Sequence, residues 1–364
     1  MYPNTKKPSP FTKLTAWAKA HPRKAFAIAS VLIVLISGAI VYAILVLGEK
    51  PAPVAKAPTT TTKPVEAKKY YSPLTGVLVK NEAEINMATT AIMIENSPEA
   101  RPQSGLKQSG VVYEAIAEGG ITRFLTIHQQ DKPALIGPVR SLRMYYVDWL
   151  APYNASVAHV GGSAAALAEI RNGNYRDIDQ FFNAGTYWRA SDRYAPHNVY
   201  TSFERLDALN QAKGYTQSSF TAFSRTDGKP VESPDASNIA ITISGPTYNS
   251  NYAYDKASNT YARSQAGAPH LDREDGQITP SVVIAMKVDM TKIMEDGYRE
   301  SITTTGSGEA VIFQNGTAQT VTWTKADRAS QLRFVDASGK DIPLVRGQTW
   351  IAAIPNSGGA VSWQ

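Results

Sequence analysis

The chain has 364 residues, 37 Lys and Arg against 31 Asp and Glu, a formal charge of +6 and no cysteine. Without cysteine there is no disulfide framework, thiol nucleophile, thiolate metal site or lipidated N-terminal Cys. The positive charge does not mark a nucleic-acid binder, because the excess lies in the first 24 positions, which hold no Asp or Glu, and the rest of the chain is balanced.

That basic head, residues 1–24, carries Lys6, Lys7, Lys13, Lys19, Arg23 and Lys24. Residues 25–47, from Ala25 to Leu47, contain no charge at all. A helix rises about 1.5 Å per residue and roughly 20 apolar residues cross a hydrocarbon core about 30 Å thick, so this stretch is expected to be one transmembrane helix. Flanking basic residues stay cytoplasmic, which predicts a single-pass protein of the cell membrane with its N-terminus inside and its C-terminal domains extracytoplasmic. A cleaved signal peptide fits less well: signal cores run about 7–15 apolar residues, and the small-x-small Ala55-Lys56-Ala57 is followed by Pro58. Residues 48–69, rich in Pro and Thr, lack the apolar side chains for a core and are read as an extended linker.

A globular composition begins at residue 70. Residues 89–94, 110–116 and 122–129 read as strands, residues 142–151 and 163–171 as helices, and Thr201 with Glu204 has capping-box spacing before a helix over 201–213. Residues 70–232 are therefore expected to form an α/β domain. After the polar, Pro-rich residues 230–237 the helical period fades. Short strands are predicted at 239–244, 282–288, 310–313, 321–323, 332–335 and 349–354, with turns at 306–308 and at Asn315-Gly316, giving a mostly β C-terminal domain over 233–364.

Chemistry-bearing residues concentrate between Glu95 and Asn198. Glu95, Arg101, Glu118, Arg123, Arg140 and Arg143 fall at strand ends and turns, His159 and Ser163 flank a Gly-Gly pair, and Arg189, Asp192, Arg193, His197 and Asn198 crowd into a dozen residues. Loops at strand ends are where sites gather, and guanidinium groups offer a planar array of donors to phosphate or carboxylate. The expectation is a ligand-binding cleft drawing on Arg101, Arg123, Arg140, Arg143, His159, Ser163, Arg189, Arg193, His197 and Asn198, with Arg123, Arg140, Arg143, Arg189 and Arg193 converging on one pocket. The competing reading makes the same arginines structural, Arg101 holding loop carbonyls and Arg140 and Arg143 pairing with Glu114, Glu118 or Asp148. Glu95, Glu118, Asp192 and His197 are the acid/base candidates if the chain is an enzyme. His128, His159 and His197 lack the short spacing of a metal site, and Ser163, His159 and Asp192 lack a Gly-x-Ser-x-Gly elbow, so neither a metal, a cofactor nor a serine triad is expected.

The segments IMIENSPEARPQSGL, VVYEAIAEGGITRF, IGPVRSLR, HVGGS and RASDRYAPHNVYTS closely resemble the YerB-like family (domain of unknown function 3048), and the similarity continues through GSGEAVIFQNG, VTWTK, LRFVDASGK and GQTWIAAIP. The resemblance covers about residues 70–355 and implies a bacterial envelope protein with paired N- and C-terminal domains, without supplying a reaction. Many relatives are lipoproteins held by a lipidated Cys, where this chain offers a helix. A looser similarity to the LytR-CpsA-Psr glycopolymer transferases lies in the order of head, span, Arg123, Arg140 and Gly161-Gly162. It departs at Ser141, where that family has an acid, and at the position before Thr122, so the Mg²⁺ ligands of phosphotransfer are missing. With the arginine-rich cleft, the expectation is an accessory protein binding an anionic glycan, a lipid-linked ligand or an envelope partner protein, with an envelope phosphotransferase or cell-wall hydrolase as the alternative.

Overall fold

The computed structural model describes residues 9–48, 68–292 and 299–364; the start of the head and nearly all of the linker fall outside them. It divides into two units, residues 1–67 and 68–364.

The first unit holds α1 (Pro10–Ala20) and α2 (Pro22–Leu47). Ser9 caps α1, its Oγ accepting from the Thr12 N–H, and Pro10 occupies the first turn, where its missing N–H costs nothing. Pro22 disfavours a helical residue before it, and His21 at φ −132° breaks the two helices apart. The sequence reading treats residues 10–20 only as a charged flank and misses this helix. At 26 residues, α2 is about 39 Å long. It is exposed and apolar on all sides, long and apolar enough by composition to cross a membrane.

In the second unit the principal elements follow in order: β1 (Thr90–Glu95), β2 (Val111–Glu118), β3 (Ile121–His128), α3 (Met144–Leu150), β4 (Ser156–Ala158), α4 (Ala164–Asn172), β5 (Arg176–Asp177) and α5 (Phe203–Ala212). Mostly strands come next: β6 (Asn238–Thr242), β7 (Ser250–Asp255), β8 (Thr260–Gln265), β9 (Ala268–Pro269), β10 (Val282–Val288), β11 (Gly306–Gln314), β12 (Thr317–Lys325), β13 (Arg333–Val335), β14 (Thr349–Pro355) and β15 (Ala360–Trp363).

Ten of these strands form one sheet in the order β13-β12-β11-β10-β14-β2-β3-β1-β4-β5. The sequence-derived boundary near residue 232 does not separate two sheets, because β14 runs parallel beside β2 with Thr349 opposite Val111. Its central strands are buried on both faces and alternate with period two. Val111, Tyr113 and Ala115 of β2 join a core under α3 and α4, while Val112 and Ile116 join a second core under α5 and the five-stranded sheet β9-β8-β7-β6-β15.

Two expectations are corrected, and one hairpin goes unpredicted. Ser202, not Thr201, caps α5, its Oγ accepting from the Arg205 N–H, while the Thr201 hydroxyl donates to the Thr186 carbonyl. Residues 306–308 are strand rather than turn, Gly306 pairing with Lys325 across β11 and β12. The β7–β8 hairpin was not anticipated, because its alternation uses Tyr, Arg and Gln instead of aliphatic residues.

Asn315 and Gly316 do form the predicted two-residue hairpin turn, with φ of 58° and 81°. A Cβ on Gly316 would stand 2.6 Å from the Tyr254 ring. Gly316→Ala is therefore expected to cost about 1–3 kcal/mol, read as a lower urea midpoint; an unchanged midpoint would refute the strain argument.

Candidate functional site

At the end of β1, Glu95 is buried and its Oε1 gathers three groups. The Ser97 hydroxyl donates at 2.9 Å, His197 Nδ1 lies at 2.8 Å and the Arg140 guanidinium at 3.2 Å. Glu95 comes from a strand end, Arg140 from a segment bridged to β1 through Ile94 and Val139, and His197 from the loop before Val199, which hydrogen-bonds to Val139. Three separate polar runs of the sequence thus meet at one carboxylate. Arg140 and His197 keep 25% and 23% of their side chains exposed, so the buried carboxylate orients two groups that solvent can reach. Ser97 and Glu95 approach the same ring nitrogen of His197, which rules out a Ser-His-acid relay, since that needs them on opposite nitrogens.

A second carboxylate centre adjoins the first. Arg123, opposite Glu95 in the β1–β3 register, donates to Glu118 Oε1 at 2.9 Å and to the Ser141 carbonyl beside Arg140. Arg143 forks onto both Glu118 oxygens at 2.7–3.0 Å. Burial favours a neutral Glu118, but the Arg123 and Arg143 guanidiniums prevail and hold it below its ordinary range. Arg143 also lines a cleft of about 550 Å³ with Tyr145, Asp148 and Ser163. Arg123, Arg140 and Arg143 here face the Glu95 and Glu118 carboxylates.

The single five-arginine pocket does not form, since separate loops satisfy the remaining arginines. Arg189 donates to Asn198 Oδ1 at 2.7 Å, Arg193 to the Glu99 and Pro102 carbonyls, and Arg101 to the Asn96 and Thr247 carbonyls. Asn198 Nδ2 in turn donates to the Ala190 and Arg193 carbonyls, so it shapes its own loop. Asp192 is exposed and paired with Arg273 at 2.6 Å. Ser163 caps α4, while buried His159 is clamped between the Gly161 carbonyl and Asp177. These residues are placed structurally rather than as a triad. His128 lies buried at the end of β3, its pKa pushed down to about 3 by desolvation.

Residues 74–216 match the N-terminal domain, and residues 239–351 the C-terminal domain, of the family described as protein of unknown function (DUF3048). The "Putative lipoprotein YerB" of Bacillus subtilis (strain 168) is 33% identical over 300 residues, 80% of this chain and 88% of its own. The chain belongs to this family. The crystal structure of YerB protein from Bacillus subtilis superposes with a TM-score of 0.73 at 29% identity, over 81% of this chain and all of that one.

The two DUF3048 domains are joined by a closed ring of hydrogen bonds that sequence reasoning missed. Arg263 of β8 donates to Glu114 Oε2 at 2.8 Å and to His270 Nδ1. Arginine can only donate, so His270 presents its bare nitrogen there and its Nε2–H to Gln103 Oε1 at 2.9 Å. Gln103 Nε2 passes on to Asn96 Oδ1, Asn96 Nδ2 to the Thr122 hydroxyl, and Thr122 to Glu114 Oε1, which closes the circle. All six side chains are buried, and the Arg263 guanidinium lies 4.5 Å over the Trp350 ring. Burial opposes the Arg263 charge, but Glu114 and Tyr252 outweigh it; burial and Arg263 together keep His270 neutral, well below its usual pKa. One signal was present in the sequence: period two along β8 sends Tyr261, Arg263 and Gln265 inward together.

Proposed function

We propose that this chain is a single-pass, membrane-anchored protein of the cell envelope. On this reading residues 25–47 span the membrane, the basic head is cytoplasmic, and the α/β N-terminal and β-rich C-terminal domains lie outside. There it recognises an anionic glycan or lipid-linked ligand through Glu95, Arg140 and His197. The observation that carries the ligand reading is the buried Glu95 carboxylate, which fixes Arg140 and His197 by one oxygen while both remain partly open to solvent. Pre-organised guanidinium and imidazole groups suit phosphate or carboxylate. For the anchor, support comes from the apolar α2 and from the relative's name, which calls that protein a lipoprotein; with no cysteine in this sequence, a helix takes the place of a lipidated residue. Contact with an envelope partner protein is compatible with the same surface. Phosphotransfer or hydrolysis gains no such support, because the Ser97–His197 geometry lacks a relay and Glu118 is held as an ionised partner of two arginines.

The test is a thermal-shift and calorimetric titration of the fragment of residues 68–364 against polyprenyl-pyrophosphate analogues, teichoic-acid fragments and peptidoglycan fragments. One class is expected to stabilise it saturably, with affinity falling at least about tenfold in Arg140→Ala and His197→Ala variants that still fold. Absence of stabilisation by every class, or full binding by Arg140→Ala, would sink the proposal.

A further inference from the structure

We propose that the turn bearing Phe181 and Phe182, with its neighbouring arginines, is a second contact surface that seats against an anionic lipid bilayer. The two consecutive phenylalanines are 68% and 70% exposed. Their exposure is built in. Buried Asp179 accepts from the Gly161 and Phe181 N–H groups and from Arg171, and its carbonyl accepts from the Phe182 N–H and from Asn183 Nδ2. A turn pinned at five points holds its apolar rings in water, and adjacent exposed aromatics of this kind mark contact surfaces.

Two arginines reach the turn and the residues just after it, and a third follows in the chain. Arg171 lies 5.0 Å over the Phe182 ring, and Arg205 lies 4.7 Å over Trp188 while donating to the Gly185 carbonyl. Arg189, next to Trp188, donates to Asn198, and neither Arg189 nor Arg205 meets a carboxylate among the described residues. Of the nearby acids, Asp179 is consumed in the turn, Asp177 is paired with His159, Asp192 with Arg273 and Asp207 with Lys132, while Glu204 is exposed.

The charge favours an anionic lipid surface. Neither ring lines the cleft at Arg143 or the one at His197. A bilayer interface accepts exposed aromatic rings without a complementary pocket, while arginines reach its phosphates. The anchoring reading above adds proximity, since a span on the same chain keeps the bilayer at high effective concentration. This inference rests on that anchoring and is independent of the ligand reading at Glu95.

The fragment of residues 68–364 is a compact unit, and the solved relative that matches 81% of this chain over its whole length has the same fold as a free-standing body, so the fragment is suitable for the test. It is sedimented with vesicles of phosphatidylcholine alone or with added phosphatidylglycerol. Saturable, salt-sensitive binding is expected only to the anionic vesicles, weakened at least about tenfold by Phe181→Ser with Phe182→Ser and also by Arg189→Gln with Arg205→Gln. All of these positions are exposed, and unchanged thermal melts will show that the variants fold. Failure to bind, equal binding to both vesicles, or binding that survives the double Phe variant overturns the proposal. So does a concentration-dependent dimer that the Phe variant abolishes, which would make the turn a protein contact. Protease treatment of intact cells reads the orientation separately: a protected C-terminal unit would refute the outward topology without altering the vesicle result.

Discussion

Glu114→Gln is expected to destabilise the globular unit by about 3–5 kcal/mol, the largest single effect among the residues considered, because it strands the buried Arg263 guanidinium without its counter-charge. Glu114 also accepts from Trp350 Nε1 at 2.9 Å and from Thr122, so an amide in its place must turn one N–H toward a donor. Melting of the 68–364 fragment would report the loss. The Arg263→Met change should cost a comparable amount alone, and the double variant should cost distinctly less than the sum, since removing both charges leaves neither one unpaired. Simple additivity in that cycle, or a loss below about 1 kcal/mol for Glu114→Gln, would show that the ring is not an electrostatic unit.

Glu118→Gln is expected to cost about 2–4 kcal/mol at neutral pH, because Arg123 and Arg143 then face each other with no intervening carboxylate. The effect carries a pH signature. The two guanidiniums hold the folded Glu118 pKa below its ordinary value of 4.5, so its contribution is fully present above that value and is lost as pH falls through the lowered folded pKa. Denaturation midpoints measured from about pH 6 down to about pH 3 should therefore fall more steeply for the wild type than for Glu118→Gln, the two curves closing at the acid end. Parallel curves would mean that Glu118 does not couple to the arginines as the geometry indicates.

Much of the arrangement is legible in the sequence alone. The strands over 89–94, 110–116, 122–129, 282–288 and 349–354 are found within a residue or two of their predicted places, because apolar and β-branched runs bounded by turn residues constrain the backbone locally. The Asn315-Gly316 turn was equally plain, since few dipeptides accept two positive φ values. At the candidate site, Glu95, Arg140 and His197 were all singled out. Their grouping was not, and the expected union of five arginines gave way to carboxylate-centred pairs and loop-carbonyl contacts.

The sequence by itself determined the 23-residue uncharged stretch with its basic flank, the absence of thiol chemistry, the run of elements and the family's motifs, all of which are properties of residue type and local spacing. Only the tertiary structure decided that the two halves share one sheet, that β14 lies beside β2, and that Arg263 and His270 close a ring with residues some 150 positions away. The physical reason is that strand order and side-chain pairing depend on which buried faces and buried charges find one another across long loops. Period and composition specify what a segment must bury, and they leave its partner to the fold.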